Sequence, residues 1–125
     1  MLDYAHQRAL DLLRNPGNVV LATTGPAGIQ ASEFPCEAIG LDLYILVPKT
    51  SDHIFNLEHC RSVTLLTSNW ELKGEAELIS LPASYFELIL LKEPEAEWCS
   101  LVRVHPSQIH IRREKGWGYC ETIEL

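Results

Sequence analysis

The sequence predicts a mainly β protein, an antiparallel barrel with helices packed outside it. Three observations lead there. Short β-rich runs follow one another through turn residues, as in Val19 to Thr24, then Gly25-Pro26-Ala27-Gly28, then Ile29 to Cys36. The run Glu71 to Ile79 alternates, with Glu71, Lys73, Glu75 and Glu77 on one side and Leu72, Gly74, Ala76 and Leu78 on the other. Such a strand is half buried and has one wet face. Helical periodicity is confined to short stretches, without the regular strand–helix–strand alternation of a doubly wound sheet.

The elements follow in order. Residues Asp3 to Arg14 carry Ala5, Ala9, Leu10, Leu12 and Leu13 as a helical stripe, and Asn15-Pro16-Gly17-Asn18 ends it. Val19 to Thr24 and Ile29 to Cys36 are the two strands of a hairpin. Gly40 begins the next turn, and Leu41 to Val47 is a third strand of continuous apolar character. In the polar turn that follows, Ser51 or Asp52 can cap a helix reaching to roughly Glu58. Ser62 to Thr67 is strand four and Glu71 to Ile79 strand five. Pro82 starts a further helix with Tyr85, Phe86, Leu88, Ile89 and Leu90 apolar. Trp98 to Arg112 is a long strand in which Pro106 marks a bulge or an edge. Gly116-Trp117-Gly118 turns the chain into a last short strand, Tyr119 to Ile123.

The 125 residues suit one domain spanning 1–125. Apolar residues make up 46% and charged residues 22%, the balance of a globular chain with a real core. No apolar run approaches the ~20 residues of a membrane span, and MLDYAHQRALDLL is too polar for a signal peptide. A cytoplasmic protein without a membrane partner is expected. The net charge of −7 argues against nucleic acid, since phosphate contacts need clustered cations and the one basic cluster is Arg112, Arg113 and Lys115. Cys36, Cys60, Cys99 and Cys120 show no C-x-x-C spacing and read as structural thiols. His105 and His110, five apart on one strand, are expected to face opposite ways, and His53 and His59 diverge on their helix; no metal site is expected. Ser32 lacks a G-x-S-x-G elbow, and no catalytic residue is assigned.

The turn Pro48-Lys49-Thr50-Ser51-Asp52-His53 places a cation, two hydroxyls and an imidazole at a helix start. Free amides and the positive end of the helix dipole make that a natural place for an anion such as a phosphate.

The hairpin VVLATTGPAGIQASEFPC, the segments LYILVPKTSDHIFNLEHCRSV and LKGEAELIS, and the end LVRVHPSQIHIRREKGWGY occur in an order and spacing that resemble a known family. The chain resembles the flavin-mononucleotide-binding split barrels, the pyridoxamine 5′-phosphate oxidase-like proteins, over nearly its whole length. Asn56-Leu57 and Gly74-Glu75-Ala76 fit the family pattern. The resemblance implies an antiparallel split barrel and a homodimer with a flavin mononucleotide at each end of the interface. Lys49, Thr50, Ser51 and His53 would meet the phosphate, while Ala31, Ser32 and Glu33 would lie along the flavin edge. His53 stands where a Lys is common, and a phosphate beside it would raise its pKa. Trp117, near Arg112 and Arg113, reads either as a lid over the partner's flavin or a substrate or as a hairpin-tip Trp folded onto its own barrel, and Trp70 would flank the ring or cap the core. The implied activity is that of an oxidoreductase or electron-transfer protein acting on a small-molecule substrate. The alternative is a dimeric binding module that has lost flavin or takes another planar cofactor such as haem.

Overall fold

The computed structural model describes residues 3–80, 88–92, 94–112 and 119–125. Asp3 sets the first element: its carboxylate accepts the His6 amide at 2.8 Å and caps helix α1 (Tyr4–Leu13). The apolar stripe buries Ala9 and Leu13 in the main core. Asn15 then adopts a left-handed conformation, φ 56°, and the chain turns into β1 (Gly17–Thr23).

β1 pairs antiparallel with β2 (Gln30–Ile39), placing Leu21 opposite Ser32 and Thr23 opposite Gln30. Beyond Cys36, β2 pairs with β3 (Asp42–Pro48). The helix α2 (Asp52–His59) leads to β4 (Ser62–Leu66), which joins the other edge of β1 and pairs with β5 (Trp70–Ile79). β5 pairs along its length with β6 (Cys99–Arg112), whose first half meets β3 and closes a six-stranded antiparallel barrel. The second half of β6 takes an additional strand, β7 (Tyr119–Glu124).

β3 reads as a continuous apolar run because both its faces are covered. Leu43, Ile45 and Val47 point into the barrel core, while Tyr44 packs with Leu88 and Leu101 in a second, smaller cluster. Each fully buried Leu or Ile contributes about 2 kcal/mol relative to exposure.

The β5–β6 register carries the bulge expected near Pro106. Lys73 faces Gln108 while Gly74 faces Pro106, which leaves Ser107 as an extra residue. A Cβ on residue 74 would collide with the carbonyl oxygen of His105, so glycine is required by the close approach of the strands. The extra residue also overturns the expectation for the histidines. Val102, Val104 and Pro106 are buried before it and Ile109 and Ile111 after it, so His105 and His110 both end on the outer face. They serve different partners: His105 Nδ1 lies 2.7 Å from Asp42 Oδ1, and His110 Nδ1 lies 2.9 Å from Thr122 Oγ1. Among the described residues no group of His, Cys, Asp or Glu is arranged to hold a metal ion.

The start of the helix expected at Pro82 lies outside the described residues, as does the Gly116-Trp117-Gly118 turn. From Ile89 the chain forms two 3-10 turns, Ile89–Lys92 and Pro94–Trp98, instead of an α-helix. Glu37 holds the first of them, its two carboxylate oxygens accepting the amides of Ile89 and Leu90 at 3.1 Å each. Pro94 brings no amide N–H to continue an α-helical ladder. No helix among the described residues is long and apolar enough to cross a membrane.

Candidate functional site

Ser51 is the cap of α2, its Oγ accepting the His53 amide at 3.1 Å. The Ser51 amide donates to Pro48 O at 2.9 Å and the Ile54 amide to Ser51 O at 3.1 Å. Three amides at this end are therefore used within the turn, and side chains carry most of what it offers a ligand. Lys49 and Thr50 are exposed and Ser51 is half-buried. Asp52, also exposed, suits the helix dipole but opposes the charge of Lys49.

The structure carries His53 away from that surface. Its ring is 2% exposed and lies beneath the hairpin of β1 and β2. Nδ1 is 2.8 Å from Thr23 Oγ1, and Nε2 is 3.0 Å from Ser32 Oγ. The Phe34 ring meets it edge-on at a centroid separation of 5.7 Å. Burial lowers the His53 pKa below its ordinary value, and the neighbouring Asp52 carboxylate offsets only part of that. In this chain His53 is a neutral ring joining α2 to two strands.

Asn56, one turn further on and fully buried, completes the junction. Its Oδ1 accepts the Ala27 amide at 2.9 Å, and its Nδ2 donates to Gly28 O at 2.9 Å and to Thr23 Oγ1 at 3.2 Å. The carboxamide thus satisfies two backbone groups of the hairpin loop, the Ala27 amide and the Gly28 carbonyl.

The three residues of strand two are brought together along the chain but not on one face. Ala31 and Glu33 pair with Ala22 and Val20 on the outer face, whereas Ser32 pairs with core-facing Leu21 and turns toward His53. All three are exposed, because residues 30–35 have β1 on one side and no described strand on the other. That open edge is the flat, accessible part of the barrel beside α2.

Trp70 is 3% exposed and packs in the main core, so the structure gives it the core-capping place. Trp117 lies outside the described residues. Sequence reading missed Trp98, which is 72% exposed and whose carbonyl accepts the Lys49 amide at 3.0 Å. It also missed Thr23, and it noted Asn56 only as part of an Asn-Leu pair. The available signal was Thr23 just before the Gly25–Gly28 turn and a polar Asn56 set between Ile54 and Leu57 on the short helix.

Two surface grooves lie elsewhere. One, about 520 Å³, crosses the outer face between Ala22, Thr64, Lys73 and Ser107. The other, about 680 Å³, runs between Leu10, Arg14, Glu37 and Ile89. Neither includes a residue of the Lys49–His53 turn. Cys36, buried, has its thiol pKa pushed up to about 12 by desolvation and is chemically quiet.

No family model and no curated protein matches the chain. Solved structures do. The general stress protein 26 of Bacillus anthracis superposes with a TM-score of 0.71 at 18% identity, covering 95% of this chain and 98% of that one. A proposed pyridoxamine 5′-phosphate oxidase of Listeria innocua gives 0.63 at 19% identity, covering 84% and 93%. HutZ, the haem storage protein of Vibrio cholerae, gives 0.63 at 17% identity, covering 94% and 98%. The antiparallel barrel closed by β3 and β6 has the split-barrel fold of the pyridoxamine 5′-phosphate oxidase-like proteins.

Proposed function

We propose that this chain binds flavin mononucleotide as a homodimer and serves as an oxidoreductase or electron-transfer protein. The observation that carries the reading is the 3.0 Å contact between His53 Nε2 and Ser32 Oγ. It sets the start of α2 against the open edge of β2, so that one continuous surface can hold both ends of the cofactor. Lys49, Thr50 and Ser51 offer a cation and two hydroxyls to the phosphate. The edge from Ala31 to Glu33 offers backbone and the Ser32 hydroxyl to the ring. His53 acts through Ser32 and not as a phosphate cation.

Bound flavin supplies the electron or hydride transfer, and the chain's own residues bind, orient and shield it. A second copy covers the ring, and a small-molecule substrate approaches the remaining face. The free thiols of Cys36, Cys60 and Cys99 suit a cytoplasmic location. The likeness to the Listeria protein supports the flavin reading.

A second reading, a dimeric module for haem or another planar cofactor, is favoured by one observation. Asp52 opposes Lys49, and His53 is neutral, so the turn pulls only weakly on a phosphate. The likeness to HutZ points the same way. Titrating the purified protein with flavin mononucleotide, read as quenching of flavin fluorescence, tests the first reading. Saturable micromolar binding is expected; no quenching, together with a shifted Soret band on adding haemin, would replace it with the second.

A further inference from the structure

We propose that Ser32 is a hydrogen-bond donor to an acceptor atom on the edge of the bound ring, and that its direction is imposed by a buried chain through Asn56, Thr23 and His53. The direction of the chain follows from this protein's own atoms; the identity of the ring rests on the flavin reading.

The chain is anchored in backbone groups whose roles are fixed. The Ala27 amide can only donate, so the Asn56 atom it meets at 2.9 Å is Oδ1. The Gly28 carbonyl can only accept, so the atom it meets at 2.9 Å is Nδ2. The carboxamide therefore has one orientation. Its Nδ2 also donates to Thr23 Oγ1 at 3.2 Å.

Thr23 is 1% exposed, and water does not take its hydroxyl proton. Among the described residues its side-chain partners are Asn56, which donates to it, and His53. The Thr23 proton is therefore given to His53 Nδ1, 2.8 Å away. A neutral imidazole that accepts at Nδ1 carries its proton at Nε2. Nε2–H then donates to Ser32 Oγ at 3.0 Å. The Ser32 proton is the one left over, and Ser32 sits exposed at the open edge of β2. A protonated His53 would bring a second N–H against Thr23 and strand the Thr23 proton, which adds to the effect of burial in keeping the ring neutral.

The ligand edge facing Ser32 is accordingly an acceptor, such as a ring carbonyl oxygen or an unprotonated ring nitrogen. An N–H edge at that point would meet a proton.

Two measurements test this. In protein labelled with 15N-histidine, a long-range 1H–15N spectrum at neutral pH is expected to show His53 with Nδ1 unprotonated and Nε2 protonated, assigned by the signals lost in His53→Gln. The opposite tautomer, or a mixture of the two, overturns the chain. Flavin mononucleotide titrations of wild type, Ser32→Ala, Thr23→Val and the double variant then test the ligand role. Ser32→Ala is expected to weaken binding about fivefold, the value of one hydrogen bond. Thr23→Val should weaken it in the same direction, and the double variant should be no worse than Ser32→Ala, since both act through one hydroxyl. Unchanged affinity in Ser32→Ala overturns the donor role even with the expected tautomer. Absence of binding by the wild type overturns the flavin reading and the ligand role together, while the spectrum still decides the buried chain. If Thr23→Val does not fold, the wild-type spectrum and Ser32→Ala decide.

Discussion

Gly25 and Asn56 touch so closely that a Cβ on residue 25 would lie 2.7 Å from Asn56 Oδ1 and 3.1 Å from its Cα. The hairpin loop and α2 are thus fitted with no slack at the point where the buried chain begins. Gly25→Ala should push Asn56 off its partners Ala27 and Gly28 and cost about 2–4 kcal/mol. Urea denaturation of the two proteins measures this, and an unchanged midpoint would show that the loop relaxes freely.

His53 should make stability depend on pH. Its folded pKa is lowered by burial, while the unfolded chain has the ordinary value near ~6.5. The unfolded state therefore takes up the proton first as pH falls, and folding weakens. Stability contributed by the neutral ring is complete above the unfolded pKa and is lost progressively below it, toward the lowered folded value. Asp3, whose pKa is also lowered, responds only in more acid solution, below its usual 3.8. Denaturation midpoints should fall between pH 7.5 and pH 5, and His53→Gln should flatten the profile in that window.

Replacing Lys49 or Thr50 by Ala should leave the fold intact, since both side chains are exposed. Each change should weaken flavin mononucleotide binding by about three- to tenfold, the range for one charged or hydroxyl contact to phosphate. Equal affinity of both variants and wild type in fluorescence titration would remove the turn from the site.

The open edge of β2 and the exposed Ile29 and Phe55, 81% and 47% exposed, leave apolar surface next to the proposed site. A dimer at micromolar concentration is expected by light scattering, and flavin should tighten it if each cleft is closed by the partner. A monomer that binds flavin with full affinity would refute the shared cleft.

Much of the barrel was readable locally. The helical stripe from Asp3 to Arg14, the Asn15-Pro16-Gly17 break, the hairpin and the alternation from Glu71 to Glu77 each declare themselves within a few residues, and the structure places elements there. What was not readable depends on register between distant strands. His105 and His110 share a face because Gly74 and Pro106 meet across an extra residue. Trp98 stands by Lys49 because Pro48 pairs with Cys99 when β3 crosses to β6. The same holds for the site: His53 meets Ser32 and Thr23 across separations of 21 and 30 residues. The turn looked like a surface anion site because helix-start chemistry is local, whereas the inward rotation of His53 is set by the hairpin it packs under.

Ser107 acts as a phase shifter. Upstream of it the even-numbered side chains of β6 fill the barrel, and downstream the odd-numbered ones do. Removing this single serine while keeping the pairing to β5 would leave a regular ladder, with Gln108 still opposite Lys73 and Ile109 still opposite Leu72, so both buried sets would stay in the core. The bulge is therefore the place in β6 where the chain can lose one residue and keep its inward side chains in phase with β5.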